Sequence, residues 1–492
     1  MFNSANICMT ISILIYMIVV IAIGIDCSRK NKTTDDFYLG GRHLGPYVTA
    51  MSAEASDMSS WLLMGLPGVA YLSGIADASW TAIGLALGTY LNWLFVAKRI
   101  RRYSNQLNAI TIPDFFSKRF HDDKNILTFI AAVVILIFFI PYTASGFAAC
   151  GKLFHSLFGF NYVAAMIISG AVIVIYTTLG GFLAASTTDL IQSIIMTIAL
   201  FSILIFGIYV AGGMDAVLSN ARELPGYLSF TFSHNMAGDT ESRYGFITII
   251  STTAWGLGYF GMPHILLRFM AIEEEKKLKL SRRVATTWAV ISMAGAILIG
   301  IVGYAASQAG AIDVLEGSAS ETVIVRLSGL LSTYGIPAAL LAGVVLAGIL
   351  ASTMSTSDSQ LLAAASSMSK NLMEECFHIR MTERKQVITA RVTVVAISLI
   401  GMFIAKNPDS SVFSIVSFAW AGFGAAFGPL MLFSLFWKRT TKAGAIAGMD
   451  VHIFERHFAE EVGAHHGCRT GLRPIISQTG WSSPRYRQGR RL

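Results

Sequence analysis

The chain has 492 residues, of which 54% are apolar and only 13% charged. Soluble domains run near 25% charged, so this composition places most of the chain in lipid and excludes an ordinary soluble enzyme. The net charge of +8 sits in loops between apolar spans, the positive-inside pattern of a membrane protein rather than a nucleic-acid footprint.

Taken in order, residues 7–25 form a first span, read as a retained helix rather than a cleaved signal. Arg29, Lys30, Lys32 and Arg42 follow and place that loop in the cytoplasm and the N-terminus outside. A broken span over 45–72 comes next. Its stretch Ser52 to Gly68 carries Glu54, Asp57 and a run of hydroxyls at a depth where a carboxylate costs about 2.5–3.5 kcal/mol. Pro67 removes the amide for the Leu63 carbonyl, and the flanking glycines loosen the helix, so the break is expected there. Broken backbone at membrane depth survives against protein or a wet cavity, where freed carbonyls can hold a cation.

Further spans are expected at 78–97, 127–149, 162–180 and 190–212, then a polar external connection over 213–244. Spans at 245–264, 285–307, 335–368, 388–404 and 411–437 complete a set of eleven. Lys98 to Arg119, Arg268 to Arg283 and Lys370 to Arg391 read as cytoplasmic loops. Trp255, Tyr259 and Pro263, spaced i, i+4 and i+8, share a helix face, and Pro263 leaves the Tyr259 carbonyl without its amide. This break matches the first in position, the pattern that points to a transporter site. Ser352, Ser355, Thr356 and Ser359 make one polar face within an apolar span, suited to a hard monovalent cation. From Asp450 to Leu492 the chain turns polar and is expected to be a disordered cytoplasmic tail. Its His452, His457, His465, His466 and Cys468 match no metal-ligand spacing.

Ser56-Asp57-Met58-Ser59 with Trp61 to Gly68, Trp255 to Gly261 with Pro263-His264, Met354-Ser355-Thr356, and Ala419 to Pro429 together resemble the sodium/solute symporter family, nearest to its bacterial proline-carrying branch. The resemblance runs from about residue 11 to Gly448. It implies an all-α membrane protein, a five-plus-five inverted-repeat helix bundle of the LeuT type. Residues 1–26 would be an extra N-terminal helix, 45–212 and 245–437 the two repeats, and 450–492 the tail. It also implies that two C-terminal helices are missing after Met449, as in a frameshifted or truncated end.

By the same resemblance, sodium would be held by carbonyls of Ala55, Met58 and Ser352 and hydroxyls of Ser355 and Thr356. Asp57, Ser59, Arg42 and Asp189 would couple sodium to substrate. Trp61, Tyr142, Trp255, Tyr259 and Pro263 would line a proline pocket, with Pro141 making the helix at Tyr142 irregular. Glu54 and Ser60 stand where the family has glycine, and Ser352 where it usually has alanine. The implied function is sodium-coupled import of L-proline across the bacterial inner membrane, with sodium as coupling ion, no cofactor and no obligate protein partner. A symporter for another small solute (pantothenate or an organic acid) and a non-transporting membrane sensor are the alternatives. No nucleophile–base pair or phosphate loop suggests an enzyme.

Overall fold

The computed structural model describes residues 4–29, 34–236, 238–379 and 381–454. Eight of its helices are long and apolar enough to cross a membrane. The 49-residue helix Tyr162–Val210 covers two of the expected spans, bent at Gly181, whose φ of +64° glycine alone adopts without strain. The two broken helices account for the remainder. Each expected span therefore coincides with helix, because a stretch buried in lipid must satisfy its backbone internally.

Both breaks are real, but their causes differ from the expected ones. The first helix ends at Asp57, and Met58 leaves helical geometry at φ −75°, ψ 66°. The Ser59 amide turns to the Asp57 carbonyl at 2.8 Å, so the break lies before Pro67, not at it. Past the break comes one π turn, Trp61–Gly65, in which the Leu66 amide reaches back to the Trp61 carbonyl. Pro67 then stands in the first turn of the helix Leu66–Ser73, where its missing amide is tolerated. In the second, Phe246–Thr253 gives way to a 3-10 stretch, Ala254–Gly261, and Pro263 starts the helix Pro263–Ala271. In contrast to the expected irregularity, Pro141 lies inside a continuous helix, Ile126–Phe158.

The connection over 213–244 holds a helix, Met214–Glu223, and an antiparallel hairpin that pairs Phe232 with Arg243 and Asn235 with Thr240. The hydroxyl-rich helix Ile336–Ser366 packs chiefly against Tyr162–Val210 and the N-terminal helix Ser4–Ser28. A further helix, Lys442–Phe454, was not foreseen and carries the chain past Asp450. Residues 455–492, with most of the expected tail, lie outside the described residues.

The 3-10 stretch is held by backbone approach. A methyl built on Gly88 would collide with the Gly256 carbonyl oxygen, and one on Gly256 with that of Gly84. Neither obstacle is a flexible side chain, so the backbones themselves would have to part. Gly88→Ala and Gly256→Ala should each cost about 1–3 kcal/mol, read as a lower melting temperature of the detergent-purified protein. Gly295→Ala, which meets nothing within 4 Å, should melt like the parent.

Candidate cation and solute site

Where the first helix breaks, the Ala55 carbonyl loses the Ser59 amide. It accepts instead from two side chains of the hydroxyl-rich helix, Ser355 Oγ at 2.7 Å and Thr356 Oγ1 at 3.5 Å. Both hydroxyls also meet the Ser352 carbonyl, at 3.1 and 3.2 Å. Ser352 spends its own hydroxyl on the Ile349 carbonyl at 2.8 Å, leaving only its carbonyl toward the site. Four expected residues thus converge across two helices distant in sequence, all buried. The set contains only neutral oxygens, which suits a hard monovalent cation. Met58 lies at the break, its amide on the Glu54 carbonyl at 2.7 Å.

One step further, an aromatic cage surrounds Asp57. The Tyr259 hydroxyl donates to Asp57 Oδ2. Trp61 Nε1 and the Tyr142 hydroxyl donate to the Asp57 carbonyl, at 3.1 and 3.4 Å. The Ser59 hydroxyl accepts the Trp61 amide at 3.4 Å. Trp61 and Trp255 lie 5.9 Å apart, centroid to centroid. The 3-10 geometry removes the shared face expected for Trp255 and Tyr259, yet both meet one ring, Trp420, at 6.5 and 5.0 Å. Trp420 also donates to the Tyr142 hydroxyl at 3.2 Å. The Tyr259 carbonyl, four residues before Pro263, is taken up by Asn92 Nδ2 at 3.0 Å. Trp61, Tyr142, Tyr259 and Pro263 are buried, and Trp255 is half-buried. Apolar walls with a few convergent polar groups fit a small zwitterion.

The coupling candidates divide. Asp57 and Ser59 belong to this cage. Asp189, on the helix Tyr162–Val210, is linked through Arg268 to Ser359 of the hydroxyl-rich helix, whose own hydroxyl donates to the Ser355 carbonyl at 2.8 Å. Asp189 Oδ2 accepts from Ser52 Oγ at 2.6 Å and pairs with Arg268 at 3.4 Å. Arg42 stands apart from both groups. It has φ +60° and bonds the carbonyls of Ala109 and Met270, at 2.6 and 3.0 Å.

Arg268 corrects the sequence reading, which put it in a cytoplasmic loop. It is 1% exposed and bonds Ser52 Oγ at 3.0 Å, the His264 carbonyl at 2.8 Å and Ser359 Oγ. Its signal was available: one arginine among Leu266, Leu267, Phe269 and Met270, in register with the second break. Trp420 was likewise visible within its motif but unassigned. Glu54, left without a partner by the sequence, accepts from Thr89 Oγ1 at 2.8 Å and Trp93 Nε1 at 3.1 Å. Among the described residues, no three His, Cys, Asp or Glu converge as a metal site. The His452, His457, His465, His466 and Cys468 group lies outside the described side chains.

Known proteins share this fold. The sialic acid symporter, Na+-coupled and solved in a substrate-bound outward-open state, superposes with TM-score 0.73 at 17% identity, over 93% of this chain and 92% of that one. A nucleobase-cation-symport-1 family transporter in a closed conformation gives TM-score 0.51 at 14% identity, over 88% and 96%. These likenesses give the fold, the LeuT-type inverted-repeat bundle with one extra N-terminal helix. The sodium/proline symporter of Salmonella typhimurium is 43% identical over 449 residues, 90% of this chain and 86% of that protein. That of Escherichia coli is 42% identical over 451 residues, with the same coverage. The osmoregulated proline transporter OpuE of Bacillus subtilis is 40% identical over 442 residues, also 90% and 86%. The family model of the Sodium:solute symporter family matches residues 37–451, and the chain belongs to that family of membrane transporters.

Proposed function

We propose that the chain is a sodium-coupled secondary transporter that imports L-proline across the bacterial inner membrane by alternating access, and that it catalyses no covalent chemistry. The observation that carries this reading is the meeting of Ser355 and Thr356 with the carbonyl released at the first break, beside the cage around Asp57. The names of the relatives, sodium/proline symporters and proline transporters, support the substrate.

In this reading sodium is bound by the carbonyls of Ala55, Met58 and Ser352 and the hydroxyls of Ser355 and Thr356. The two hydroxyls give up their bonds to the carbonyls and turn their lone pairs to the ion. The ion then ties the first broken helix to the hydroxyl-rich helix and orders Asp57 and Ser59 at the edge of the proline pocket. Trp61, Tyr142, Trp255, Tyr259 and Pro263 enclose the substrate ring. Asp189 and Arg42 act in coupling, Asp189 through its contact with Arg268 and Ser52. Residues 45–212 and 245–437 serve as the two repeats, with the N-terminus outside and the C-terminus cytoplasmic.

One sodium falling through 100 mV supplies about 2.3 kcal/mol, and a tenfold gradient about 1.4 kcal/mol. Together they support roughly 500-fold accumulation of substrate at one-to-one coupling.

Uptake of labelled proline into proteoliposomes, with and without a sodium gradient, tests the reading; no sodium-dependent uptake would refute it. Ser355→Ala and Thr356→Ala should each raise the sodium concentration for half-maximal uptake at least tenfold, since each deletes an oxygen from a site with few. Unchanged sodium dependence in both would remove these residues from the site. Trp255→Ala and Tyr259→Ala should weaken proline binding far more than sodium binding, as judged by equilibrium binding of each ligand. Arg268→Ala leaves Asp189 buried without its cation and should cost on the order of 3–5 kcal/mol, seen as a large drop in melting temperature. Removing both charges, as Arg268→Gln with Asp189→Asn, should recover much of that loss.

A further inference from the structure

The segment that leaves the second broken helix gathers more cations than it has acids to hold them. Glu273 and Glu274 both pair with Lys277, at 2.7 and 3.4 Å. Glu275 takes Lys98 at 3.1 Å and also Arg102. No acid follows in the helix Leu278–Gln308, which opens with Lys279, Arg282 and Arg283. Among the described residues no acidic side chain pairs with any of these three.

Lys279, Arg282, Arg283 and Thr286 fall at i, i+3, i+4 and i+7, so they share one face, with adjacent Cβ atoms about 5–6 Å apart. Water can serve Lys279 and Arg283, which are exposed, but Arg282 is half-buried. Its Cζ lies 5.3 Å from the centroid of the Tyr90 ring, a contact that steadies the guanidinium without using a donor. Arg282 Nε has no partner, and neither has the Thr286 hydroxyl. Thr177 and Thr197, by contrast, each bond the carbonyl four residues back. The face thus collects three cations and a free hydroxyl around no anion.

Tyr90 places this face at the edge of the lipid. It continues an exposed apolar row, Ile83 and Leu87, at i, i+4 and i+7 of the helix Ile75–Leu91, and tyrosine favours the membrane interface. The cations therefore stand where headgroups begin and the apolar row where acyl chains run. A free phosphate would meet only the charged half, whereas a phospholipid meets both. A zwitterionic headgroup brings its own ammonium and leaves the three cations uncompensated, so net negative charge is required. We propose that Lys279, Arg282 and Arg283, backed by Tyr90 and Thr286, bind the headgroup of an anionic phospholipid whose chains lie along Leu87 and Ile83.

The test is a titration of the delipidated, detergent-purified full-length protein with phosphatidylglycerol, phosphatidylcholine or inorganic phosphate, read by native mass spectrometry. The first phosphatidylglycerol should bind about tenfold tighter, or more, than the first phosphatidylcholine, and an equal concentration of inorganic phosphate should not displace it. Arg282→Gln and Arg283→Gln should each weaken phosphatidylglycerol about fivefold, the worth of one cation at an anionic surface, and leave phosphatidylcholine unchanged. Arg222→Gln, which removes an exposed cation from the helix Met214–Glu223, should bind like the parent. Melting temperatures are taken alongside; if Arg282→Gln folds poorly, the exposed Arg283 gives the reading in its place. Equal affinity of the parent for the two lipids overturns the site. So does parental binding in both variants at this face, an equal loss in Arg222→Gln, or displacement by inorganic phosphate.

Discussion

A carbonyl that loses its amide inside a membrane has to find another donor, and this fold is arranged around that requirement. Lipid offers no hydrogen-bond partner at that depth, so a break in a helix has to be met by other parts of the protein or by a cavity it lines. At Ala55 the donors are Ser355 and Thr356, three hundred residues away in sequence. At Tyr259 the donor is Asn92. Each break is thereby fastened to a different neighbour, the first to the hydroxyl-rich helix and the second to the helix that precedes the Asn92 π turn. The bonds at Ala55 are made by hydroxyls, which can also offer lone pairs to a cation. Those at Tyr259 are made by an amide, which holds the backbone and leaves one oxygen over.

Charge inside the bundle follows the same logic at higher stakes. Arg268 and Asp189 are both buried and hydrogen-bonded beyond their own pair, through Ser52, Ser359 and the His264 carbonyl. That network joins both broken helices to the helices that carry Asp189 and Ser359. Lys152 and Glu321 make a second such pair, and there Glu321 also accepts the amides of Val412 and Phe413, capping the start of the helix Val412–Phe436. A buried pair is costly to split, because each partner alone is an uncompensated charge in low dielectric. These pairs therefore fix which helices belong together more firmly than apolar packing in lipid can, since lipid tails compete for apolar surface on equal terms.

The 3-10 stretch between the halves of the second broken helix is pressed between two others. On one side Gly256 meets the backbone at Gly84, and on the other Gly261 faces the Phe423 carbonyl. Close backbone contact replaces the hydrophobic effect as the source of adhesion. It also brings Trp255 and Tyr259 onto Trp420, so the aromatic cage is a consequence of small residues packing beside it.

The spans, and the fact that two of them are broken, were legible in the sequence, because length, hydropathy, proline and glycine act locally, but the exact positions of the breaks were not. The polar face of Ser352, Ser355 and Thr356 and the aromatic pair Trp255 and Tyr259 were legible for the same reason. Only the tertiary structure decided that the first break falls at Met58 and Ser59, because that position depends on donors supplied by another helix. Arg268 looked like one more basic loop residue, since its partner Asp189 is remote in sequence and a loop charge and a buried one have the same letter. The partners of Glu54 were hidden in the same way, on a helix whose face is fixed by a π turn after Leu91. The sequence determined where each helix could form and fail; which oxygen meets which donor depended on contacts between segments that no local pattern records.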